Sequence, residues 1–167
     1  MPKSDQGVFR NRYQVIPRTL IFVTKGEQFL LLKGAPTKKL WANHYNGFGG
    51  HIEQGEDVLT AAERELKEET GIKTSGLWLC GTLIVDTGEN VGIAIYILRG
   101  EYLTGEILPS QEGVPQWFSI SQLPELTLVE DLTVLLPKVL AMKAGDLPFF
   151  GRTYYDEGDE MCVVIRN

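Results

Sequence analysis

The segment spanning residues 56–70 constrains the fold of this chain more than any other feature of its sequence. At about 100° per residue, Leu59, Ala62 and Leu66 fall on one stripe, which predicts an amphipathic helix with that stripe facing the core. Gly71 stands just beyond the last periodic residue, where a glycine commonly ends a helix.

Three glutamates crowd the end of the same predicted helix. Glu65, Glu68 and Glu69 are spaced i, i+3 and i+4, so their side chains share one sector beside the apolar stripe. Like charges at these spacings repel by roughly a few tenths of a kcal/mol per pair, and the helix macrodipole disfavours anions in the last turn. A bound Mg²⁺ or Mn²⁺ would make the cluster favourable, because these hard cations prefer oxygen ligands. The alternative is a solvated helix face that binds nothing.

A longer pattern around this helix favours the metal site. It combines two glycines, five charged residues and two aliphatic residues, in the order Gly50-x5-Glu56-x7-Arg64-Glu65-Leu66-x-Glu68-Glu69-x-Gly71-Ile72. The pattern resembles the Nudix box at every position. The resemblance implies a loop–helix–loop metal site that hydrolyses a nucleoside diphosphate linked to another moiety. It also implies that Glu65, Glu68 and Glu69 are the metal ligands.

The other residues of the pattern suit structural roles. Gly50 and Gly71 fit backbone turns at the two ends of the motif. Arg64 is better placed to pair with Glu56, and so to orient the loop, than to touch a substrate, since Arg–carboxylate pairs are geometrically specific.

Hydrolysis of a phosphoanhydride also requires a base near the metal. Either Glu65 or Glu68 could take the proton from water, and the sequence does not choose between them. In the Nudix superfamily a further carboxylate often comes from a loop outside the box. Glu112, five residues before Trp117, is the candidate here, and the alternative is an exposed loop acid. His51 follows Gly50 directly, but a lone histidine is more often a packing or hydrogen-bonding residue than a catalyst.

Outside the motif the sequence predicts mostly strands, with one long loop and a second helix. These elements are a hairpin over 19–33, a loop over 34–50, strands near 77–86, 91–98 and 116–120, a helix over 129–144 containing Pro137, and a last hairpin over 152–165. The fold class is therefore α/β, and the resemblance implies a Nudix-type α/β/α sandwich with a central mixed sheet. We expect one domain over residues 1–167, with about 1–15 as a loose N-terminal segment.

Several segments resemble the branch of the family that hydrolyses oxidised purine nucleoside triphosphates such as 8-oxo-dGTP. They include the stretch from Tyr45 to Gly50, with Phe48 where many other branches have proline, the pair Trp117-Phe118, and the acidic pair Glu130-Asp131. The resemblance implies a set of substrate-binding residues: Asn46, Phe48, Gly49, Gly50, Trp117, Glu130 and Asp131. An amide and a carboxyl group can read a purine edge. Phe48 and Trp117 fit either stacking on a base or packing in the core.

Composition and charge argue against other classes of function. A net charge of −6 disfavours a sequence-independent grip on nucleic acid, which depends on neutralising many phosphates. No apolar run approaches the ~18–20 residues of a membrane span, and residues 1–18 lack the apolar region of a signal peptide. Cys80 and Cys162 are far apart and favour two reduced thiols in a reducing compartment, with one disulfide as the alternative, so we expect a cytoplasmic protein.

Three alternatives remain at this point. Another Nudix substrate, such as ADP-ribose, a dinucleoside polyphosphate or capped RNA, would use the same box. A nucleotide-binding regulator without catalysis would keep the fold, although its box is usually broken and this one is intact. An isopentenyl-diphosphate isomerase-like activity would need a catalytic cysteine, and neither Cys80 nor Cys162 lies in a site-forming segment. The sequence predicts a small nucleotide as ligand and leaves a monomer or a homodimer equally open.

Overall fold

The structure is a computed structural model that describes residues 2–7, 9, 11–37 and 39–166. The strands within these residues are β1 (Gln14–Lys25), β2 (Gln28–Gly34), β3 (Tyr45–Asn46), β4 (Lys73–Thr74), β5 (Trp78–Val85), β6 (Val91–Thr104), β7 (Gly113–Ser119), β8 (Phe149–Tyr155) and β9 (Met161–Arg166). The α-helices are α1 (Val58–Thr70) and α2 (Leu132–Ala141), and short 3₁₀ helices span Lys3–Gln6 and Ile120–Glu125.

The strands of the described residues form one mixed sheet in the order β3-β2-β1-β6-β5-β8-β9, with β7 paired to β2 and β4 paired to β6. The pairs β1–β6 and β5–β8 are parallel, and the other pairs are antiparallel. Both predicted hairpins are present, as β1–β2 and β8–β9. Strands β1 and β6 are longer than predicted, because their added ends are largely exposed and lack the apolar pattern of a buried strand, whereas β5 is slightly shorter.

The two faces of the sheet pack on different helices, because successive side chains of a strand point to opposite faces. On one face, Leu20 and Phe22 of β1 pack with the buried side of α2. On the other face, Ile21 and Val23 pack with Ala62 and Leu66 of α1. The predicted α/β/α sandwich with a mixed sheet is confirmed.

Helix α1 begins two residues later than predicted. Asp57 caps its N-terminus: Oδ1 accepts hydrogen bonds from the backbone N–H groups of Leu59 at 2.8 Å and Thr60 at 3.0 Å. The prediction that Leu59 faces the core is wrong, since this side chain is 49% exposed. Val58, one residue earlier, packs against the apolar cluster of α1 instead.

Helix α2 is shorter than the predicted span of 129–144 and contains Pro137. The expected loose segment, about 1–15, contains the 3₁₀ helix Lys3–Gln6 and the start of β1 at Gln14. Its residues Met1, Val8 and Arg10 lie outside the described residues. In the part of the chain that the structure describes, no helix has the length and apolar character needed to span a membrane. Cys80, which is buried, and Cys162, which is partly buried, are both free thiols.

Candidate metal and nucleotide site

The glycine segment, residues 47–50, runs alongside β1 and provides the backbone of the site. The N–H of Ile21 donates to the carbonyl of Phe48 at 2.7 Å, and the N–H of Thr19 donates to that of Gly50 at 2.9 Å. Gly49 has φ +130°, and a Cβ there would lie 2.3 Å from the carbonyl oxygen of Thr19. Only glycine fits this close approach to β1.

The last two turns of α1 bring two of the motif glutamates against this segment. Oε2 of Glu69 accepts a hydrogen bond from the backbone N–H of Gly49 at 2.9 Å, and Glu69 is only 8% exposed. A Cβ on Gly50 would lie 2.6 Å from Oε1 of Glu65, so a side chain at this position would displace the carboxylate. The two glycines therefore allow the helix carboxylates to reach the loop backbone.

Arg64 holds the loop to the helix, as the sequence predicts. Its guanidinium binds Glu56 through two hydrogen bonds, Nε to Oε1 at 2.7 Å and Nη2 to Oε2 at 2.9 Å. It also donates to Oε1 of Glu65 at 2.7 Å and to the carbonyl of His51 at 3.0 Å. The hydrogen bonds from Arg64 lower the pKa of Glu56 to about 2, and those to both glutamates raise the pKa of Arg64. With a longer contact of 3.4 Å to Oε2 of Glu68, Arg64 has five acceptor atoms within the protein.

A cavity of about 620 Å³ opens beside these groups. Five carboxylates line it, from α1, the loop before it and the loop before β7: Glu53, Glu65, Glu68, Glu69 and Glu112. Among the described residues no lysine or arginine lines it, so the side chains of the lining carry a net negative charge. The backbone N–H of Ala35 donates to the carbonyl of Glu112 at 3.1 Å, which ties the predicted loop acid to the end of β2.

The chemistry of these donors fits a hard divalent cation, because such ions take carboxylate oxygens as ligands. Within the described ranges, no three His, Cys, Asp or Glu side chains already converge on one metal position. Glu68 is 60% exposed on its side chain, and Arg64 reaches it at 3.4 Å. The three motif glutamates therefore line one cavity without meeting at a single metal position in this structure.

A second cavity, of about 370 Å³, lies on the α2 face of the sheet. It shares five lining residues with the carboxylate cavity, so the two are joined: Trp41, Asn46, Gly47, Gly49 and Gly50. Asp131 lines it, and within the described residues its Oδ1 atom is buried without a hydrogen-bond partner. Burial raises the pKa of the Asp131 carboxyl. This cavity pairs apolar walls with a carboxyl group suited to hydrogen bonding.

Comparison with known proteins places this arrangement in a family. A family model described as the NUDIX domain matches residues 15–139. The chain belongs to the Nudix family. It is a Nudix pyrophosphohydrolase, and the helix and glycine segment described above are its Nudix motif.

Relatives with curated names include two enzymes of one kind. The oxidized purine nucleoside triphosphate hydrolase of Danio rerio is 33% identical over 126 residues, covering 75% of this chain and 80% of that protein. The enzyme of the same name from Mus musculus is 31% identical with the same coverage. The NAD-capped RNA hydrolase NudC of Pseudomonas aeruginosa is 28% identical over 132 residues, covering 77% of this chain and 45% of that protein.

Solved structures show the same fold. The mutator MutT protein of Bacillus halodurans superposes with a TM-score of 0.76 at 24% identity, covering 90% of this chain and 97% of that one. The MutT Nudix hydrolase of Burkholderia pseudomallei superposes with a TM-score of 0.66 at 21% identity, covering 75% and 98%.

Some of the residues predicted to bind substrate in this Nudix hydrolase line a cavity, and others do not. Asn46 lies where the two cavities join, and its Oδ1 accepts a hydrogen bond from the N–H of Gly47 at 2.8 Å. Asp131 lines the second cavity, whereas Glu130 is exposed and lines neither. The acidic pair therefore contributes one carboxyl group to the site rather than two.

Phe48 and Trp117 both pack in or against the apolar cluster under α1, and Phe48 also lines the second cavity. Phe48 is fully buried in the apolar cluster under α1. Trp117, opposite Leu30 in the β2–β7 pair, packs against the same cluster and meets the ring of Tyr102 edge-on with centroids 5.8 Å apart. Trp117 lines neither cavity, because its position on β7 points it to the α1 face.

Two residues that the sequence did not single out belong to the site of this Nudix hydrolase. Trp41 lines both cavities, is 48% exposed and has a left-handed backbone with φ +57°. A bulky residue rarely adopts this conformation. Thr153 of β8 lines the second cavity. Trp41 lies in the predicted loop over 34–50, and no local pattern in the sequence marked either Trp41 or Thr153.

Proposed function

We propose that this protein hydrolyses purine nucleoside triphosphates, with an oxidised nucleotide such as 8-oxo-dGTP as the preferred substrate, to the monophosphate and pyrophosphate in the presence of Mg²⁺ or Mn²⁺. The observation that carries the proposal is the junction of two cavities of different chemistry at the segment from Asn46 to Gly50. A nucleotide also has two ends of different chemistry, a polyanionic chain and a flat base. The names of the relatives from Danio rerio and Mus musculus support the same substrate class.

At the phosphate end, Glu65, Glu68 and Glu69 are the groups that would hold the ion. The bound ion supplies positive charge for the phosphate oxygens and lowers the pKa of a water molecule. Glu69 is fixed by the N–H of Gly49, and Glu65 by Arg64, so these two carboxylates set the position of the site. Glu68 is the most exposed of the three, and among the described residues its side chain is held only by the 3.4 Å contact with Arg64, so it is the first candidate for the base that takes a proton from water.

Glu112 is the second candidate for the base. It lines the same cavity from a loop outside the motif. Comparing the pH profiles of kcat in Glu68→Gln and Glu112→Gln distinguishes the two, since loss of the base removes the acidic limb of the profile and loss of a metal ligand raises the metal concentration required.

At the base end, Asn46 and Asp131 are the polar groups that would meet a purine. The Oδ1 atom of Asn46 already accepts the N–H of Gly47, which leaves its amide NH₂ to donate to the ligand. The raised pKa of Asp131 favours its protonated form, which can donate as well as accept. These groups lie in a cavity with apolar walls from β1, β5 and β6, as small-molecule sites usually do.

The remaining expectations complete the proposal. We propose one catalytic domain over residues 1–167 that acts as a monomer or a homodimer on a free nucleotide. The net charge of −6 supports a small substrate rather than a nucleic acid. The free thiols of Cys80 and Cys162 fit a reducing, cytoplasmic environment. Burial raises the pKa of Cys80 to about 12, so this thiol is not a nucleophile.

An activity screen tests the proposal. Purified protein is incubated with Mg²⁺ or Mn²⁺ and 8-oxo-dGTP, dGTP, ADP-ribose, diadenosine polyphosphates or NAD-capped RNA, and the products are separated. We expect 8-oxo-dGTP to give the monophosphate and pyrophosphate with the highest kcat/KM, and no turnover after metal is removed. Faster turnover of ADP-ribose or capped RNA would overturn the substrate assignment. Binding of nucleotide with no hydrolysis of any compound would instead favour a regulator.

A further inference from the structure

We infer that the hydroxyl group of Thr153 is a specificity-determining contact to the nucleobase, an inference that rests on the proposed function. Thr153 lies on β8, between Val85 of β5 and Val163 of β9 in the sheet. It is 1% exposed, and its Oγ1 atom has no hydrogen-bond partner among the described residues. A buried hydroxyl group without a partner is uncommon, because its desolvation is not compensated.

The hydroxyl of Thr153 lies among apolar side chains, so the fold itself does not need a polar group at this position. Phe149, four residues earlier on the same strand face, packs in the apolar cluster under α2. The neighbouring walls of the cavity are also apolar: Leu20, Val85, Ile93, Ile95 and Val129. Valine has the shape of threonine and would fill this place without burying a polar atom. Within the described residues the hydroxyl therefore makes no hydrogen bond, and the cavity in front of it is where a partner would come from.

A second observation points to the same ligand. Asp131 lines the same cavity from the segment before α2, and its Oδ1 atom is also buried without a partner among the described residues. Within that part of the chain, the side chains with such buried, unpartnered atoms are these two, and both line this cavity. A hydroxyl group and a carboxyl group can each donate or accept. Together with apolar walls, they suit a flat heterocycle with polar groups along one edge.

Thr153 is also held firmly enough in the sheet to discriminate between nucleobases. Its carbonyl accepts the N–H of Asp86 at 2.9 Å, and β8 is paired on both sides by β5 and β9. Groups held by paired strands select more sharply than groups on loops. A site built to hydrogen-bond a polar group rejects an analogue that lacks the group, because its own buried atom then stays unpaired.

The test uses Thr153→Val with Thr153→Ser as the matched variant that keeps the hydroxyl. Thermal unfolding without ligand comes first: we expect Thr153→Val to melt at the temperature of the wild type or above it, because the variant removes a buried hydroxyl that has no partner. A clear fall in its melting temperature would show a structural role and overturn the inference.

The second measurement is kcat/KM on purine deoxynucleoside triphosphates that differ at one position of the base edge: 8-oxo-dGTP, dGTP, dITP and the analogue of unsubstituted purine. We expect Thr153→Val to lower kcat/KM by about tenfold for the bases that carry the contacted group and not for the analogue that lacks it. Thr153→Ser should keep the wild-type order. An equal effect of Thr153→Val on all four, or none on any, overturns the inference while the proposed function stands. Failure of the wild type to hydrolyse any of the four overturns both.

Discussion

The backbone N–H of Gly49 donates to Oε2 of Glu69 across 2.9 Å, joining the edge of the sheet to the last turn of α1. Glu69 lies at the end of the helix where the macrodipole disfavours an anion, and it is 8% exposed. The hydrogen bond from Gly49 offsets part of that cost and fixes one oxygen of the carboxylate. The acidic end of the helix is thereby aligned with the glycine segment.

Replacing Glu69 tests whether this carboxylate serves catalysis or folding. We expect Glu69→Gln to lower kcat by at least about a hundredfold through weaker metal binding. The metal-free protein should stay folded with an equal or slightly higher free energy of unfolding, because glutamine can still accept the N–H of Gly49 and like-charge repulsion falls. Steady-state kinetics, calorimetric Mn²⁺ titration and chemical denaturation measure these effects. Glu63→Gln, on the exposed side of α1, is the control, and retained activity in Glu69→Gln would refute the assignment.

The role of Arg64 is tested by a substitution that keeps its charge. Arg64→Lys retains one cation but loses the two-point contact with Glu56 and the bond to the His51 carbonyl. We expect a lower melting temperature, a higher metal concentration for half-maximal activity and a fall in kcat of about tenfold, since the loop and Glu65 lose their anchor. Arg152→Lys, at an exposed position on β8, should change none of these. Wild-type metal dependence in Arg64→Lys would contradict the anchoring role.

The raised pKa of Asp131 predicts a dependence of stability on pH. The folded state holds the Asp131 proton above its ordinary pKa of 3.8, whereas the unfolded chain releases it near that value. Folding stability from this group is therefore complete below pH 3.8 and is lost as pH rises through the folded-state pKa. An asparagine side chain at this position cannot ionise, so Asp131→Asn should gain in melting temperature relative to the wild type as pH rises above about 4.

Thermal melts of both proteins at several pH values measure this difference. Glu130→Gln, which changes the adjacent exposed carboxyl group, is the control, and its melting temperature should follow that of the wild type at every pH. A constant difference between Asp131→Asn and the wild type at all pH values would mean that the carboxyl group titrates at its ordinary pKa.

Trp41 is predicted to stack on the bound nucleotide, because it lines both cavities and is half exposed. The chain has three tryptophans, so Trp78→Phe with Trp117→Phe leaves Trp41 as the single emitter. Its fluorescence should change on addition of dGTP with Ca²⁺, and Trp41→Ala should raise KM by about tenfold, the usual size of one base–aromatic contact. Unchanged emission on saturation with a nucleotide that the protein binds would rule out the contact.

Much of this site could be predicted from sequence because its spacing is local. The cluster of Glu65, Glu68 and Glu69 follows from helix geometry, and the pairing of Arg64 with Glu56 follows from the motif. Both hairpins and the amphipathic character of α1 follow from periodicity.

The errors arose where a tertiary choice decides between local possibilities. A helical wheel places Leu59 in the apolar stripe, but the helix is rotated so that Val58 packs and Glu69 is buried. Trp117 could face either side of the sheet until the register of β7 against β2 is known. The isolation of the Thr153 hydroxyl depends on strands distant in sequence, which no window of residues contains.

The three glycines between the cavities leave no space for a side chain. A Cβ would lie 2.8 Å from the Leu20 side chain at Gly47, 2.3 Å from the Thr19 carbonyl at Gly49, and 2.6 Å from the Glu65 carboxylate at Gly50. The glycine backbone and its close neighbours thus fix the separation between the carboxylates and the second cavity. A change of substrate preference would therefore have to come from substitutions of the residues that line the cavities. Substitutions of the three glycines would destabilise the fold before they altered the preference.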